Sequence, residues 1–97
     1  MEDSCLERYM LQRKYMRLAL DELDRAEELY PQWPADLVHQ AAIVTEEAGE
    51  LLQASNDVRW QQGDSTLADV RDEAIQTIAM ALRLLINLNG ELNDRRN

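Results

Sequence analysis

The sequence predicts an all-α protein built from three long helices. In three successive segments, apolar residues recur at steps of three and four, the spacing that places them on one face of a helix. Only three glycines and two prolines occur in 97 residues, and Pro31, Pro34, Gly63 and Gly90 fall between or after the periodic segments. The whole chain, residues 1–97, is therefore expected to form one helical domain.

The first predicted helix covers residues 4–30. Ser4 and Glu7 match a capping box, in which each side chain accepts a hydrogen bond from the backbone N–H of the other residue. Pro31 is expected to end this helix, because the residue before a proline disfavours the helical conformation.

The second predicted helix starts at Pro34, which fits the first turn of a helix. One row of its residues is expected to form a core seam: Leu37, Ala41, Val44, Ala48, Leu51, Ser55 and Val58. A neighbouring row holds Glu46 and Glu50, with Glu47 beside it, so this acidic cluster borders the seam. Gly49 lies inside the helix, where a glycine lowers helix stability by roughly 1 kcal/mol relative to alanine. This glycine either allows another backbone to approach closely or has no structural role.

A polar loop leads into the third predicted helix, residues 66–88, which Asp64 or Ser65 is expected to cap. This helix has two apolar rows: Leu67, Val70, Ala74, Ile78, Ala81, Leu85 and Leu88 in one, and Ile75, Ala79, Leu82 and Ile86 in the other. A helix that is apolar on two sides is buried on two sides, which predicts self-association around a shared four-helix core. Gly90 is expected to end the helix, and residues 91–97 to form a flexible polar tail.

Composition restricts the classes of function. The formal net charge of −9 argues against nucleic-acid binding, which needs a basic face, and against an anionic membrane surface. A phosphate ligand would need a cation between it and the protein. Cys5 is the only cysteine, and the sequence shows no signal segment and no apolar run of transmembrane length. A soluble, cytoplasmic protein is the expectation.

Carboxylates on the second and third helices give the strongest indication of function. Antiparallel packing would bring Glu46, Glu47 and Glu50 opposite Glu73 and Gln76. Several carboxylates in a partly dry groove cannot all stay ionised unless a cation neutralises them, and oxygen ligands suit Mg²⁺ or Mn²⁺. A di-iron site would need Glu-x-x-His pairs, which the sequence lacks. A solvated acidic face without a ligand is the alternative interpretation.

The pattern Glu46-Glu47-x-x-Glu50, followed after 22 residues by Glu73-x-x-Gln76, resembles the paired motifs of the MazG-like, all-α nucleotide pyrophosphohydrolases. That family has Glu-Glu-x-x-Glu and then Glu-x-x-Asp on the next helix. The resemblance covers the second and third helices and implies a MazG-type fold, similar to a four-helix bundle and completed by a homo-dimer or tetramer. It also implies hydrolysis of nucleoside triphosphates to the monophosphate and pyrophosphate, with Mg²⁺ or Mn²⁺ as cofactor.

Carried over by position, the resemblance implies that Glu47, Glu50 and Glu73 are metal ligands, with Gln76 in the place of the family's aspartate. Glu46 would be a further ligand, or would orient or deprotonate the attacking water. An amide oxygen can coordinate a metal but brings no charge. Gln76 therefore leaves open either a tuned catalytic site or a helical oligomer that binds nucleotide, or a protein partner, without turnover.

Four further residues are candidates for contacts with the substrate: Lys14, Trp33, Arg83 and Asn87. Arg83 could hold a phosphate or form a structural ion pair. Trp33 could stack on a base or close the core at a helix end. Lys14 is either a phosphate ligand or a solvated surface residue, and Asn87 could read the edge of a base.

Overall fold

The computed structural model describes the backbone of residues 2–96 and the side chains of residues 4–93. The described region contains three helices and no strand: α1 (Glu2–Leu29), α2 (Leu37–Trp60) and α3 (Leu67–Arg96). The prediction of an all-α chain with three long helices is confirmed for this region. Within it, no helix combines the length and the apolar character that crossing a membrane requires.

The small buried core lies where α1 meets α3, and α3 also packs against α2. Leu23 and Ala26 of α1 are buried against Ala79 and Met80 of α3. Partly buried side chains from the rest of the chain complete this cluster: Trp33, Ile43, Val44 and Leu82. Because α3 contacts both other helices, the side chains that it presents on each side determine how the helices are arranged.

The face of α2 that packs against α3 is rotated from the apolar row that the sequence predicted. Leu37, the first residue of that row, is 54% exposed, and the buried residues of α2 are Gln40 and Ala54. Glu47 lies midway between these two at seven-residue steps, and it is half-buried on the same face. The Gln40 amide donates to the carbonyl of Pro34 at 2.9 Å, which satisfies this buried polar group. The packing face thus carries an acidic side chain near its centre.

Several apolar side chains that the sequence assigned to the core are exposed in the single chain. On α3, Leu67, Ile78 and Leu85 are exposed, whereas Met80 and Arg83 of a neighbouring row are buried. The N-terminal half of α1 also exposes large apolar side chains: Leu6, Tyr9, Met10, Leu11, Met16 and Leu20. Apolar surface therefore extends over α1 and α3 beyond the core that one chain buries.

The structure corrects the predicted starts of the first two helices. Ser4 lies inside α1 and is not its N-cap, so the predicted capping box at this position is wrong. α2 begins at Leu37, and the carboxylate of Asp36 caps it by accepting from the backbone N–H of His39 at 2.9 Å. Pro34 consequently precedes α2 and does not lie in its first turn.

α3 begins at Leu67, one residue later than predicted, and a capping box stabilises its N-terminus. The hydroxyl of Thr66 accepts from the backbone N–H of Asp69 at 3.3 Å, and the Asp69 carboxylate accepts from the backbone N–H of Thr66 at 2.8 Å. Ser65, which was expected to cap the helix, instead donates its hydroxyl hydrogen to the carboxylate of Asp57 at 3.1 Å. This bond ties the loop to the end of α2.

α3 does not end at Gly90. The helix continues to Arg96, so residues 91–96 of the predicted tail are helical, and Asn97 lies outside the described residues. A Cβ added at Gly49 or at Gly90 would meet no atom within 4 Å, apart from the helix's own backbone nearby. Neither glycine is therefore required by the close approach of another part of this chain.

Candidate metal centre

Three glutamates from two helices come together at the interface of α2 and α3. One carboxylate oxygen from each of Glu47, Glu50 and Glu73 lies within 4.8 Å of the other two. Glu47 and Glu50 are neighbours one turn apart on α2, and Glu73 approaches them from α3, as the sequence predicted. Among the described residues, this is the only group of at least three acidic, histidine or cysteine side chains that lie so close together.

Two of these carboxylates have an oxygen that is shielded from solvent and unpaired. The Oε2 atoms of Glu47 and Glu73 have almost no accessible surface and no hydrogen-bond partner in the described structure. Buried polar atoms are normally hydrogen-bonded, because leaving one unpaired costs about 1–3 kcal/mol. A cation held between the two helices would supply the missing interaction to both oxygens.

The environment raises the pKa of two members of the cluster. For Glu47, burial is the largest cause of the raised pKa, and the negative charges of Glu50 and Glu73 add to it. Burial is also the largest cause of the raised pKa of Glu73, followed by the charge of Glu50. A bound divalent cation would offset the repulsion between these carboxylates and favour their ionised forms.

The donor set fits a hard divalent cation. Mg²⁺ binds oxygen ligands octahedrally at about 2.0–2.1 Å, so two ligands lie about 3 Å apart when adjacent and about 4 Å apart when opposite. The three glutamate oxygens lie within 4.8 Å of one another, so side-chain movements that draw them together would let them bind one ion. The cluster consists of carboxylates alone, which favours Mg²⁺ or Mn²⁺ over metals that prefer sulfur or imidazole.

The other two residues of the paired motifs lie next to this cluster. Glu46 is exposed on α2 and is not one of the three residues whose oxygens come together, although its charge acts on Glu47. Gln76 is half-buried, nearly one turn after Glu73 on α3, and lines a cavity together with Glu47. The roles of Glu46 toward water and of Gln76 as a ligand stay predictions.

A cavity of about 290 Å³ lies beside the carboxylate cluster, where the three helices and the connection between α1 and α2 meet. Trp33 and Arg83, two of the predicted substrate residues, line it together with Glu47 and Gln76. The Arg83 guanidinium lies over the indole ring of Trp33, with the guanidinium carbon 4.8 Å from the ring centroid. The structure therefore brings these two residues close to the predicted metal ligands.

Arg83 is buried without an acidic partner. It is 4% exposed, and its Nη2 donates to the backbone carbonyl of Tyr30 at 2.7 Å. No ion pair joins Arg83 to another of the described side chains. The structural ion pair considered from the sequence is thus not formed in this region.

Asn87 and Lys14 do not line the cavity. The Asn87 side chain donates to the backbone carbonyl of Arg83 at 2.8 Å. Lys14 is exposed on α1, where its ammonium lies 5.5 Å from the centroid of the Tyr15 ring. Within one chain, the structure does not place either residue with the cavity and the cluster, and their roles as substrate ligands stay predictions.

α1 contributes residues to the cavity that the sequence analysis did not identify. Glu22 and Arg25 line it and form an ion pair at 2.6 Å, and Tyr30 lines it just after the end of α1. The only signal in the sequence was an acidic and a basic residue three positions apart on a helix. Such pairs are common on solvated helix surfaces, so this spacing does not indicate a cavity.

No protein-family model matches this chain, and neither a curated protein nor a solved structure matches it. The fold and the site define an all-α chain with three glutamates at a helix interface that could hold a cation. The likeness to the MazG-like pyrophosphohydrolases rests on the motif residues of α2 and α3 alone.

Proposed function

We propose that the protein is a nucleoside triphosphate pyrophosphohydrolase of the MazG-like type that depends on Mg²⁺ or Mn²⁺. The observation that supports this function is the close approach of Glu47, Glu50 and Glu73, in which two oxygens are shielded and unpaired. An uncompensated carboxylate cluster between two helices opposes folding. Such local conflicts are expected at functional sites.

In this proposal, Glu47, Glu50 and Glu73, with the amide oxygen of Gln76, hold the ion. A bound Mg²⁺ supplies charge neutralisation for the phosphate oxygens and lowers the pKa of a water molecule. Glu46, exposed beside the cluster, accepts a proton from the attacking water. The water oxygen bonds to the α-phosphorus while the bond from this phosphorus to the α–β bridging oxygen breaks, so the products are the nucleoside monophosphate and pyrophosphate.

The cavity next to the cluster is the proposed position for the rest of the nucleotide. Trp33 offers a ring face and Arg83 offers N–H donors in this cavity. Asn87 follows Arg83 by one turn of α3 and would contact a part of the substrate outside the cavity. Lys14 lies on the exposed N-terminal half of α1, so its role as a phosphate ligand requires a second copy of the chain.

A homo-dimer or tetramer is part of the proposal. The described residues bury few apolar side chains, and four of the six are alanine. Large side chains such as Met10, Leu85 and Ile86 are more than half exposed. Exposed apolar surface of this kind marks an interaction site, and a second copy that covers it would complete the helical core. Because the net charge is −9, we propose no nucleic-acid partner and no anionic membrane surface as a partner. We also propose a cytoplasmic location, since the single cysteine, Cys5, is consistent with a reducing compartment.

Two observations favour a different function, a helical oligomer that binds nucleotide, or a protein partner, without turnover. Gln76 brings no charge to the site, unlike the aspartate of the family motif, and Glu46 lies outside the group of clustered oxygens. Weaker metal binding would follow from the lower charge of the ligand set. Both functions use the same cluster and cavity, so turnover separates them.

The test is pyrophosphate release from a panel of ribo- and deoxynucleoside triphosphates with Mg²⁺ or Mn²⁺. We expect the wild type and the control Glu28→Gln, an exposed carboxylate on α1, to release pyrophosphate, and Glu50→Gln to release none. Wild-type protein that is folded and binds metal but releases no pyrophosphate would contradict the proposal. Gln76→Asp then decides between a lapsed enzyme, in which activity returns, and a binding protein, in which it does not.

A further inference from the structure

Arg83 has hydrogen-bond donors that no group in the described structure uses. A guanidinium has five N–H donors, and a single hydrogen bond, to the Tyr30 carbonyl, is formed. The Arg83 nitrogens that have no hydrogen-bond partner keep some accessible surface. The Arg83 side chain also lines the cavity. Because a buried guanidinium is stabilised by acceptors for its remaining protons, a ligand in this cavity should supply them.

The walls of the cavity favour a flat, uncharged group. The Trp33 ring forms one side beneath the guanidinium, and Ala26, Ile43 and Met80 add apolar surface. The indole nitrogen of Trp33 is shielded from solvent and has no hydrogen-bond partner in the described structure. Trp33 therefore contributes its ring to the cavity, and Arg83 contributes the accessible donors. Ligand pockets usually range from about 300 to 1,000 Å³, so about 290 Å³ suits one ring system and not a whole nucleoside triphosphate.

Charge does not single out a phosphate at this position. The cavity is lined by two carboxylates, Glu22 and Glu47, and by two guanidinium groups, Arg25 and Arg83, so their formal charges balance. Arg25 is already paired with Glu22. A phosphate group is better placed at the neighbouring cluster, where a divalent cation would compensate its charge. A nucleobase is neutral, presents acceptors at its edge and can stack on an aromatic ring.

We infer that this cavity binds the nucleobase and that Arg83 selects a base with two adjacent acceptors, as guanine presents with O6 and N7. This inference rests on the proposed function and names the substrate class of that site. Arginine bonds guanine in this bidentate way, whereas adenine places an amino donor beside N7, where it faces the arginine donors. Arg83 is thus a specificity-determining residue for guanine over adenine.

The test measures the binding of nucleosides to metal-free protein. Nucleosides carry no phosphate that the uncompensated carboxylates would repel, so neither turnover nor the metal site enters. Trp33 reports binding by its fluorescence in the Trp60→Phe protein, which removes the only other tryptophan, an exposed residue. We expect guanosine and inosine to bind alike because both carry O6 and N7. Adenosine and 7-deazaguanosine should bind at least about fivefold more weakly, because one bidentate pair is worth about a fivefold to 150-fold preference.

Arg83→Lys provides a second test, since it keeps the charge but loses the paired donors. We expect the variant to lose the preference for guanosine over adenosine, with folding checked by circular dichroism. The comparison of nucleosides on protein with intact Arg83 does not depend on whether this substitution affects folding. Adenosine binding as tight as guanosine, cytidine binding tighter than guanosine, or no binding of any nucleoside would overturn the inference.

The two proposals fail in different ways. Guanine preference without pyrophosphate release would keep the inference and overturn the proposed enzyme. Pyrophosphate release that does not depend on the base, in protein that shows no preference for guanosine, would keep the enzyme and overturn the role of Arg83.

Discussion

Glu47 on α2 and Glu73 on α3 meet across the helix interface, each with one carboxylate oxygen cut off from solvent and from any hydrogen-bond donor in the described structure. Without a cation, this arrangement weakens the folded state, because the ionised carboxylates are desolvated and repel each other. A cation that binds there stabilises the folded state. The same groups therefore determine both the stability of the metal-free protein and its response to metal.

Without metal, the pair should make stability fall as pH rises. The pKa values of Glu47 and Glu73 are raised in the folded protein, so the folded state binds more protons than the unfolded state above the ordinary glutamate pKa of about 4.3. Their stabilising contribution is complete below that pH and is lost as pH rises through the folded pKa values. We expect Glu47→Gln to lose less stability than the wild type between about pH 4.5 and 8.

Urea unfolding in the presence of a chelator measures this difference. Glu28→Gln is the matched control, since it removes an exposed carboxylate from α1 and should follow the wild-type pH dependence. Equal pH dependence of Glu47→Gln and the wild type would show that the folded protein does not disfavour the ionised form of Glu47, which would contradict the prediction.

A second prediction concerns Gln76, whose amide oxygen could coordinate the ion but adds no charge. Gln76→Asp should bind Mg²⁺ about tenfold more tightly, because affinity for hard cations rises with the charge of the ligand set. The variant should also be less stable than the wild type without metal, since a fourth carboxylate joins the repelling group. Isothermal titration calorimetry and melting curves measure both effects. Unchanged affinity would place Gln76 outside the metal site.

Gly49 tests how α2 is covered. No atom lies within 4 Å of a Cβ placed there, apart from the helix's own backbone nearby, so Gly49→Ala should raise the free energy of unfolding by up to about 1 kcal/mol. Chemical denaturation measures this change, with Gly90→Ala, also in open space, as the comparison. Destabilisation at Gly49 alone would contradict the prediction and indicate that another molecule packs against this position.

Self-association is tested on the exposed side of α3. Leu85 is 56% exposed in the single chain, and we expect Leu85→Glu to shift the protein toward the monomer because it places a charge in the proposed apolar interface. Light scattering after size-exclusion chromatography measures the mass. Gln62→Glu adds the same charge in the exposed loop and should leave the mass unchanged. A monomeric wild type would contradict the proposed oligomer.

Sequence periodicity was sufficient to predict three helices and the approach of Glu73 to the glutamates of α2. It did not predict which face of α2 packs inward, because the buried residues of that face are Gln40 and Ala54. The large apolar residues Ile43 and Val44 are only partly buried, and Leu37 is exposed. The predicted start of α2 at Pro34 was wrong because a nearby residue, Asp36, caps the helix, which therefore begins at Leu37. The cavity depends on how α1 packs against α3, a long-range geometry that no local pattern encodes.

The central claim is that Glu47, Glu50 and Glu73 together bind a divalent cation, and titration of Mn²⁺ into the protein tests it most directly. Calorimetry should show saturable binding to the wild type and to Glu28→Gln, and binding weakened at least about tenfold in Glu73→Gln, because one of three charged ligands is lost. Equal binding by Glu73→Gln and the wild type, or no binding to the wild type, would contradict a metal site at the interface of α2 and α3.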